Sequence, residues 1–393
     1  MKYTKFEIKN FKGIDNIVLD LIKQPSGKIF PLVGLNESGK TTILEAINLF
    51  QNDITPSKRH ELIHKRDKGH FTGFIEIKAT LELEYGMDGL TINSFLSDKK
   101  LHLKNQSKNI IFSKKYEFKN GNPEEIILTE LNFEPELEVK TGRARTYSIL
   151  SEYNTAELKK IIIKNIPKIL YFPDFLFDFP EKIYLESIPN PSWDKKEQER
   201  QIEYRNIIQD ILFTINSNYG LNDFITKLKA LSDEGKQESA NQIKREIATK
   251  LNEIIVKPWQ EIFPNSPNKT IEIITNYDDT SYYLQIKINE GASSFYINER
   301  SLGFKWFFGF LLSTEFRKAR PEENGEYVFL FDEPANNLHQ NSQQKLLNLF
   351  EKLTNNAKII YSTHSHYLLN QKFILNAFIV KDEGIANEEE YQY

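Results

Sequence analysis

Apolar residues at Phe6, Ile8 and Phe11, and again at Ile17, Leu19 and Leu21, alternate with polar ones on either side of Gly13. That period of two predicts two strands joined by a turn. Residues 28–33 form a short apolar strand, after which the period lengthens to a helical one over residues 41–51 through Leu44, Ile47 and Phe50. Alternation returns over residues 74–85, 110–118 and 126–133, and residues 167–172 form another apolar strand. From residue 192 to 262 the chain is charged and helix-periodic, which predicts two or three helices broken near residues 216–220 and at Gly235. Residues 270–288 return to strand, with a hairpin turn at Asp278-Asp279, 328–331 is an apolar run suited to a buried parallel strand, and 358–361 is a further strand. Between them, the polar opening Glu299-Arg300-Ser301-Leu302-Gly303 runs directly into an aromatic segment ending at Ser313. This pattern predicts a buried helix that starts on an exposed polar tip.

The elements together predict an α/β chain with flanking helices, an antiparallel β-lobe and a helical insertion. A length of 393 residues exceeds one ordinary core. A net charge of −4 supplies no global basic field, so any nucleic-acid contact has to be local. The chain contains no cysteine, which removes disulfides and thiolate chemistry and points to a reducing compartment. No apolar run reaches the roughly 20 residues that span a bilayer, and the N-terminus alternates where a signal peptide would be uniformly apolar. The expected location is cytoplasmic, without membrane contact.

Three strand-end motifs carry the chemistry. Gly34-Leu35-Asn36-Glu37-Ser38-Gly39-Lys40-Thr41 fits G-x-x-x-x-G-K-[ST] between the expected strand and helix. Its backbone N–H groups and helix start suit phosphate, Lys40 suits the β/γ-phosphates, and Thr41 suits Mg²⁺. Thr42 follows in the first helical turn. Asp332-Glu333-Pro334 follows the apolar run 328–331, so one carboxylate can hold Mg²⁺ through water and the next can polarise an attacking water. Ser362-Thr363-His364-Ser365 follows the third strand and places a histidine where it can sense a γ-phosphate. The expected ligands are a nucleoside triphosphate and Mg²⁺.

These motifs, with the opening FEIKNFKGI, resemble the ABC-type P-loop ATPase heads of the SMC, RecF and OLD (overcoming lysogenisation defect) group. In style the chain resembles AAA-family ATPases of bacterial anti-phage defence. The resemblance covers about residues 1–85 and 270–382. It implies a mixed core sheet and a homodimer closing on two ATP·Mg²⁺, with Ser301 and Gly303 capping the partner's γ-phosphate. It further implies that Asp332 holds the metal, that Glu333 is the general base, that His364 monitors the γ-phosphate, and that Asn336 contacts the partner's phosphate loop. Ala335 and Asn336 depart from the group's usual residues, and no Q-loop is assigned.

The implied organisation is an N-terminal ATPase lobe over residues 1–190, a helical insertion over 191–265 and a C-terminal lobe over 266–393. OLD-type proteins carry a TOPRIM nuclease after the histidine motif, but only 29 residues follow His364 here. The resemblance therefore implies an ATPase that acts as sensor or scaffold for a separate nuclease or toxin effector in anti-phage defence. A RecF-like DNA-repair ATPase and the ATPase part of a fused nuclease remain the alternatives. Lys99 to Lys119 holds seven lysines and one acid, interleaved with aromatics, and Lys58, Arg59, Lys65 and Arg66 form a second basic cluster. Both leave nucleic-acid contact open. His60 and His64, four apart, are expected to be solvated rather than metal-bound.

Overall fold

The structure, a computed structural model, describes residues 1–22, 27–84, 88–186, 192–278, 281–317, 327–334, 338–355 and 357–381. Contacts divide the chain into two compact units, one holding the described residues of Met1–Phe172, Asn324–Pro334 and Leu346–Tyr393, the other those of Pro173–Glu323 and Ala335–Lys345.

The first unit contains two five-stranded sheets. The antiparallel sheet runs in the order Ile14–Asp20, Lys2–Phe11, Gly73–Glu82, Asn109–Lys119, Asn122–Glu134. The other has the order Lys168–Phe172, Tyr327–Phe331, Ala357–Thr363, Ile29–Val33, Phe378–Ile379, and every pairing in it is parallel. Tyr327–Phe331 and Ala357–Thr363 are buried at every position, as continuous apolar runs must be when both faces of a parallel sheet are covered. The helix Lys40–Gln51 touches strands of both sheets and buries Ile43, Leu44, Ile47 and Phe50. The Phe50 ring packs edge-on against Tyr3 and Phe6 of the antiparallel sheet. A helix that opens at the phosphate loop is thereby fixed against the whole unit.

Elements of this unit outside the sequence expectations include the helices Asp88–Asp98 and Glu152–Asn165, a small sheet of Leu101–Leu103, Glu138–Thr141 and Ser148–Ile149, and the edge strand Phe378–Ile379. Glu152–Asn165 buries only Leu158 and Ile162, too few to mark a helical stripe by eye, and its start is set by Ser151 accepting from the Asn154 N–H.

The second unit is built on the helix Leu302–Arg317, which is buried around most of its circumference. Trp259 meets Phe304 edge-on with ring centroids 4.6 Å apart, and Phe179 meets Phe308 in the same way at 5.4 Å. The charged region folds as Lys195–Ile215, Leu221–Lys229, Glu234–Leu251 and Lys257–Ile262. The helix Lys195–Ile215 packs on Leu302–Arg317, with Tyr204, Ile208 and Ile211 fully buried. The expected break at Gly235 is displaced, because Asp233 caps the helix by accepting from the Lys236 N–H and Gly235 falls inside the first turn. A π-helical stretch at Asn252–Val256 carries the chain into Lys257–Ile262, with Pro258 tolerated in a first turn that needs no N–H from it. Thr270–Asp278 and Ser281–Glu290 pair as a hairpin closed at Asp278 and Ser281. The expected turn residue Asp279 lies outside the described residues.

Candidate functional site

The parallel sheet of the first unit delivers three polar strand ends to one place. Ile29–Val33 leads into the loop 34–39, in which Glu37 and Gly39 take positive φ of 65° and 98° before the helix Lys40–Gln51. At Gly34 a Cβ would come within 2.4 Å of the Val380 carbonyl oxygen and 2.6 Å of Ser38 Oγ, so the loop closes only over glycine. Asn36 and Glu37 are exposed, Thr42 is half-buried, and Ser38 Oγ is buried without a hydrogen-bond partner among the described residues. Lys40 is buried and turns back on the loop, its Nζ donating to the carbonyls of Gly34 at 3.0 Å and Leu35 at 2.7 Å.

Tyr327–Phe331 ends in Asp332 and Glu333. The Thr41 hydroxyl donates to Asp332 Oδ1 at 2.9 Å, and Lys40 Nζ lies 3.4 Å from Glu333 Oε1. Ala357–Thr363 brings Ser362, which donates to Asp332 Oδ1 at 2.7 Å, while His364 Nδ1 stands 3.0 Å from Glu333 Oε2. The Asp332 N–H donates to the Phe172 carbonyl at 3.0 Å, and Tyr171 OH lies 3.4 Å from Asp332 Oδ2. Five residues expected from the motifs, Lys40, Thr41, Asp332, Glu333 and His364, thus meet in one cluster. Ser362 and Tyr171 join them. Neither role was legible: Ser362 stands in a motif read for its histidine, and Tyr171 in a strand read as merely apolar.

Ser301 and Gly303 belong to the second unit, where the Ser301 carbonyl accepts from the Lys305 N–H and Ser301 Oγ from the Phe304 N–H at 3.3 Å. That is an N-cap, yet Ser301 and Leu302 are both exposed. The tip is held from behind. Glu299 accepts from the Tyr296 N–H at 2.7 Å, and Arg300 reaches Glu290 at 2.7 Å while lying over the rings of Phe295 and Phe304. Asn336, with Ala335 and Asn337, lies outside the described residues.

Much of the basic run is ion-paired within the chain. Lys99 faces Glu157, Lys104 faces Glu138, Lys115 faces Glu76 and Glu130, and Lys119 faces Glu124, all within 3.7 Å. Lys114 is buried and donates to the Leu49 carbonyl at the end of the phosphate-loop helix; its burial lowers the ammonium below its ordinary value, opposed by Asp53. Arg59 of the second basic cluster is also buried and donates to the Glu124 carbonyl. His60 lies in a 3₁₀ turn against the Ser57 carbonyl, and His64 faces Asp67 at 3.6 Å.

A family model described as AAA ATPase domain matches residues 1–369. An uncharacterized protein of Methanocaldococcus jannaschii is 30% identical over 135 residues, 30% of this chain and 35% of that protein. An OLD nuclease of Thermus scotoductus is 36% identical over 93 residues, 23% of this chain and 16% of that protein. The chain thus aligns with about a third of the first relative's length and about a sixth of the second's. Among solved structures, an SMC head bound to the C-terminal winged-helix domain of ScpA aligns with a TM-score of 0.49 at 15% identity, covering 94% of this chain and 91% of that one. The Pyrococcus furiosus SMC head with an extended coiled coil aligns at 0.46 and 17%, covering 93% and 90%.

Proposed function

We propose, from the premise that the chain belongs to the AAA ATPase domain family, that the cluster of the first unit binds ATP with Mg²⁺ and hydrolyses it. The observation that carries this is the meeting of Lys40, Thr41, Asp332, Glu333 and His364 at three adjacent strand ends.

The residues fit both groups. Thr41 Oγ1 and Asp332 Oδ1 form an all-oxygen pair of the kind Mg²⁺ takes, and the Ser38 hydroxyl, without a hydrogen-bond partner among the described residues, and the Gly34 turn suit phosphate. When bound, the metal supplies positive charge against the phosphate oxygens. Lys40 exchanges its loop carbonyls for phosphate oxygens. Glu333, flanked by Lys40 and His364, accepts a proton from the attacking water as that water's oxygen bonds to the γ-phosphorus and the bond to the ADP oxygen breaks. His364 orients the carboxylate through the tautomer that carries its proton on Nδ1.

The wider proposal follows the SMC/OLD resemblance. Two copies close on two nucleotides, with Ser301, Gly303 and Asn336 of one copy meeting the phosphate of the other, in lobes divided near residues 190 and 265. Hydrolysis then times a sensor or scaffold whose effector is a nuclease or toxin of anti-phage defence. The OLD nuclease relative supports this direction, and equally supports a chain whose nuclease is fused to it. The ion-paired state of Lys99, Lys104, Lys115 and Lys119 weighs against DNA as the direct ligand of that surface.

Phosphate release from ATP by the purified protein tests the core of this reading. Release that requires Mg²⁺ is expected, and Lys40→Ala should weaken ATP binding at least about tenfold by removing a buried charge contact. Absence of release from the wild type under any divalent cation contradicts it.

A further inference from the structure

We infer that Ser362 is a positioning residue that locks the backbone of Glu333 to the metal-side carboxylate Asp332. This rests on the ATPase function proposed above.

Ser362 is fully buried near the end of Ala357–Thr363, directly opposite Leu32 of the strand that feeds the phosphate loop. A hydroxyl has one proton to give and two lone pairs to receive with, and Ser362 uses both capacities at the site. Its O–H donates to Asp332 Oδ1 at 2.7 Å, and its oxygen accepts the Glu333 N–H at 2.7 Å. Asp332 Oδ1 accepts from Thr41 as well, so the Ser362 hydroxyl and the Thr41 hydroxyl share one carboxylate oxygen.

Glu333 needs such a hold. Its φ of 42° lies in the left-handed region, which a residue with a side chain occupies only where surroundings over-determine it. The surroundings here are the Phe172 carbonyl, which takes the Asp332 N–H, and the Ser362 oxygen, which takes the Glu333 N–H. The direction in which the Glu333 carboxylate leaves the backbone, toward Lys40 and His364, is set by that pair. Beside the peptide bond that joins the two residues, the Ser362 hydroxyl thus couples the Asp332 carboxylate directly to the Glu333 N–H. A serine that only filled a buried polar position would affect stability and leave turnover per bound nucleotide unchanged.

The test uses Ser362→Ala and, to preserve packing if that variant does not fold, Ser362→Cys, each checked by its melting temperature. Turnover is measured alongside equilibrium binding of a non-hydrolysable ATP analogue with Mg²⁺, in the wild-type and Glu333→Gln backgrounds. The expected result is a kcat lower by roughly 10- to 100-fold, with analogue affinity within about threefold of wild type. In the Glu333→Gln background, the added serine substitution should change residual turnover less than about twofold, because it acts through Glu333. Undiminished kcat in both variants, equal losses in the two backgrounds, or a loss of affinity matching the loss of kcat each overturn the inference while leaving the ATPase reading intact. A wild type without ATP turnover overturns the ATPase reading and this inference with it, whereas Glu333→Gln turning over at the wild-type rate overturns the role of Glu333 and this inference while ATP hydrolysis itself stands.

Discussion

Asp332 Oδ1 concentrates the site's chemistry at a single atom: it accepts from Thr41 and from Ser362. A carboxylate so held is preorganised to present its charge to a metal. Thr41→Val keeps the shape and removes one of the two donors. It should raise the Mg²⁺ concentration needed for half-maximal nucleotide binding by about an order of magnitude, as read from a metal titration of analogue binding; an unchanged requirement would remove Thr41 from the metal site. Lys40, Thr41, Asp332, Glu333 and His364 were legible because each stands at a fixed offset from an apolar run or a glycine turn. Ser362 and Tyr171 were not, because their contacts with Asp332 span 30 and 161 residues and depend on strand register. Only the alignment of Phe331 opposite Tyr361 and Phe172 puts those hydroxyls beside the carboxylate.

Among the elements, Leu302–Arg317 separates a structural role from a functional one. The Ser301 cap stabilises the helix, and its loss in Ser301→Ala should cost about 1 kcal/mol in denaturant unfolding. Ser301→Asp keeps an effective cap while placing negative charge on the exposed tip. If the tip meets a partner's γ-phosphate, the aspartate variant loses ATP turnover although it folds as well as wild type. Turnover unchanged in the aspartate variant would confine Ser301 to capping. The aromatic run and its polar opening were legible as a buried helix with an exposed start. The second break in the charged region was misplaced because glycine signals flexibility, whereas Asp233 capping decides where the helix begins. Asp88–Asp98 escaped notice because the buried residues among its described side chains, Ile92, Phe95 and Leu96, are too few to mark a stripe by eye.

At the scale of the molecule, the parallel sheet draws its strands from residues 29–33, 168–172, 327–331, 357–363 and 378–379. Contacts of such sequence separation are set by topology, so the sheet's presence could be read from apolar runs while its order could not. The order matters for the site, since it places the His364 strand between the Asp332 strand and the phosphate-loop strand. Everything proposed beyond nucleotide binding depends on this arrangement running hydrolysis through Glu333. Phosphate release by Glu333→Gln, measured at ATP concentrations that saturate the variant, tests it most directly. The account predicts ATP affinity close to wild type with turnover lower by at least about 100-fold. Turnover at the wild-type rate in this variant would contradict it.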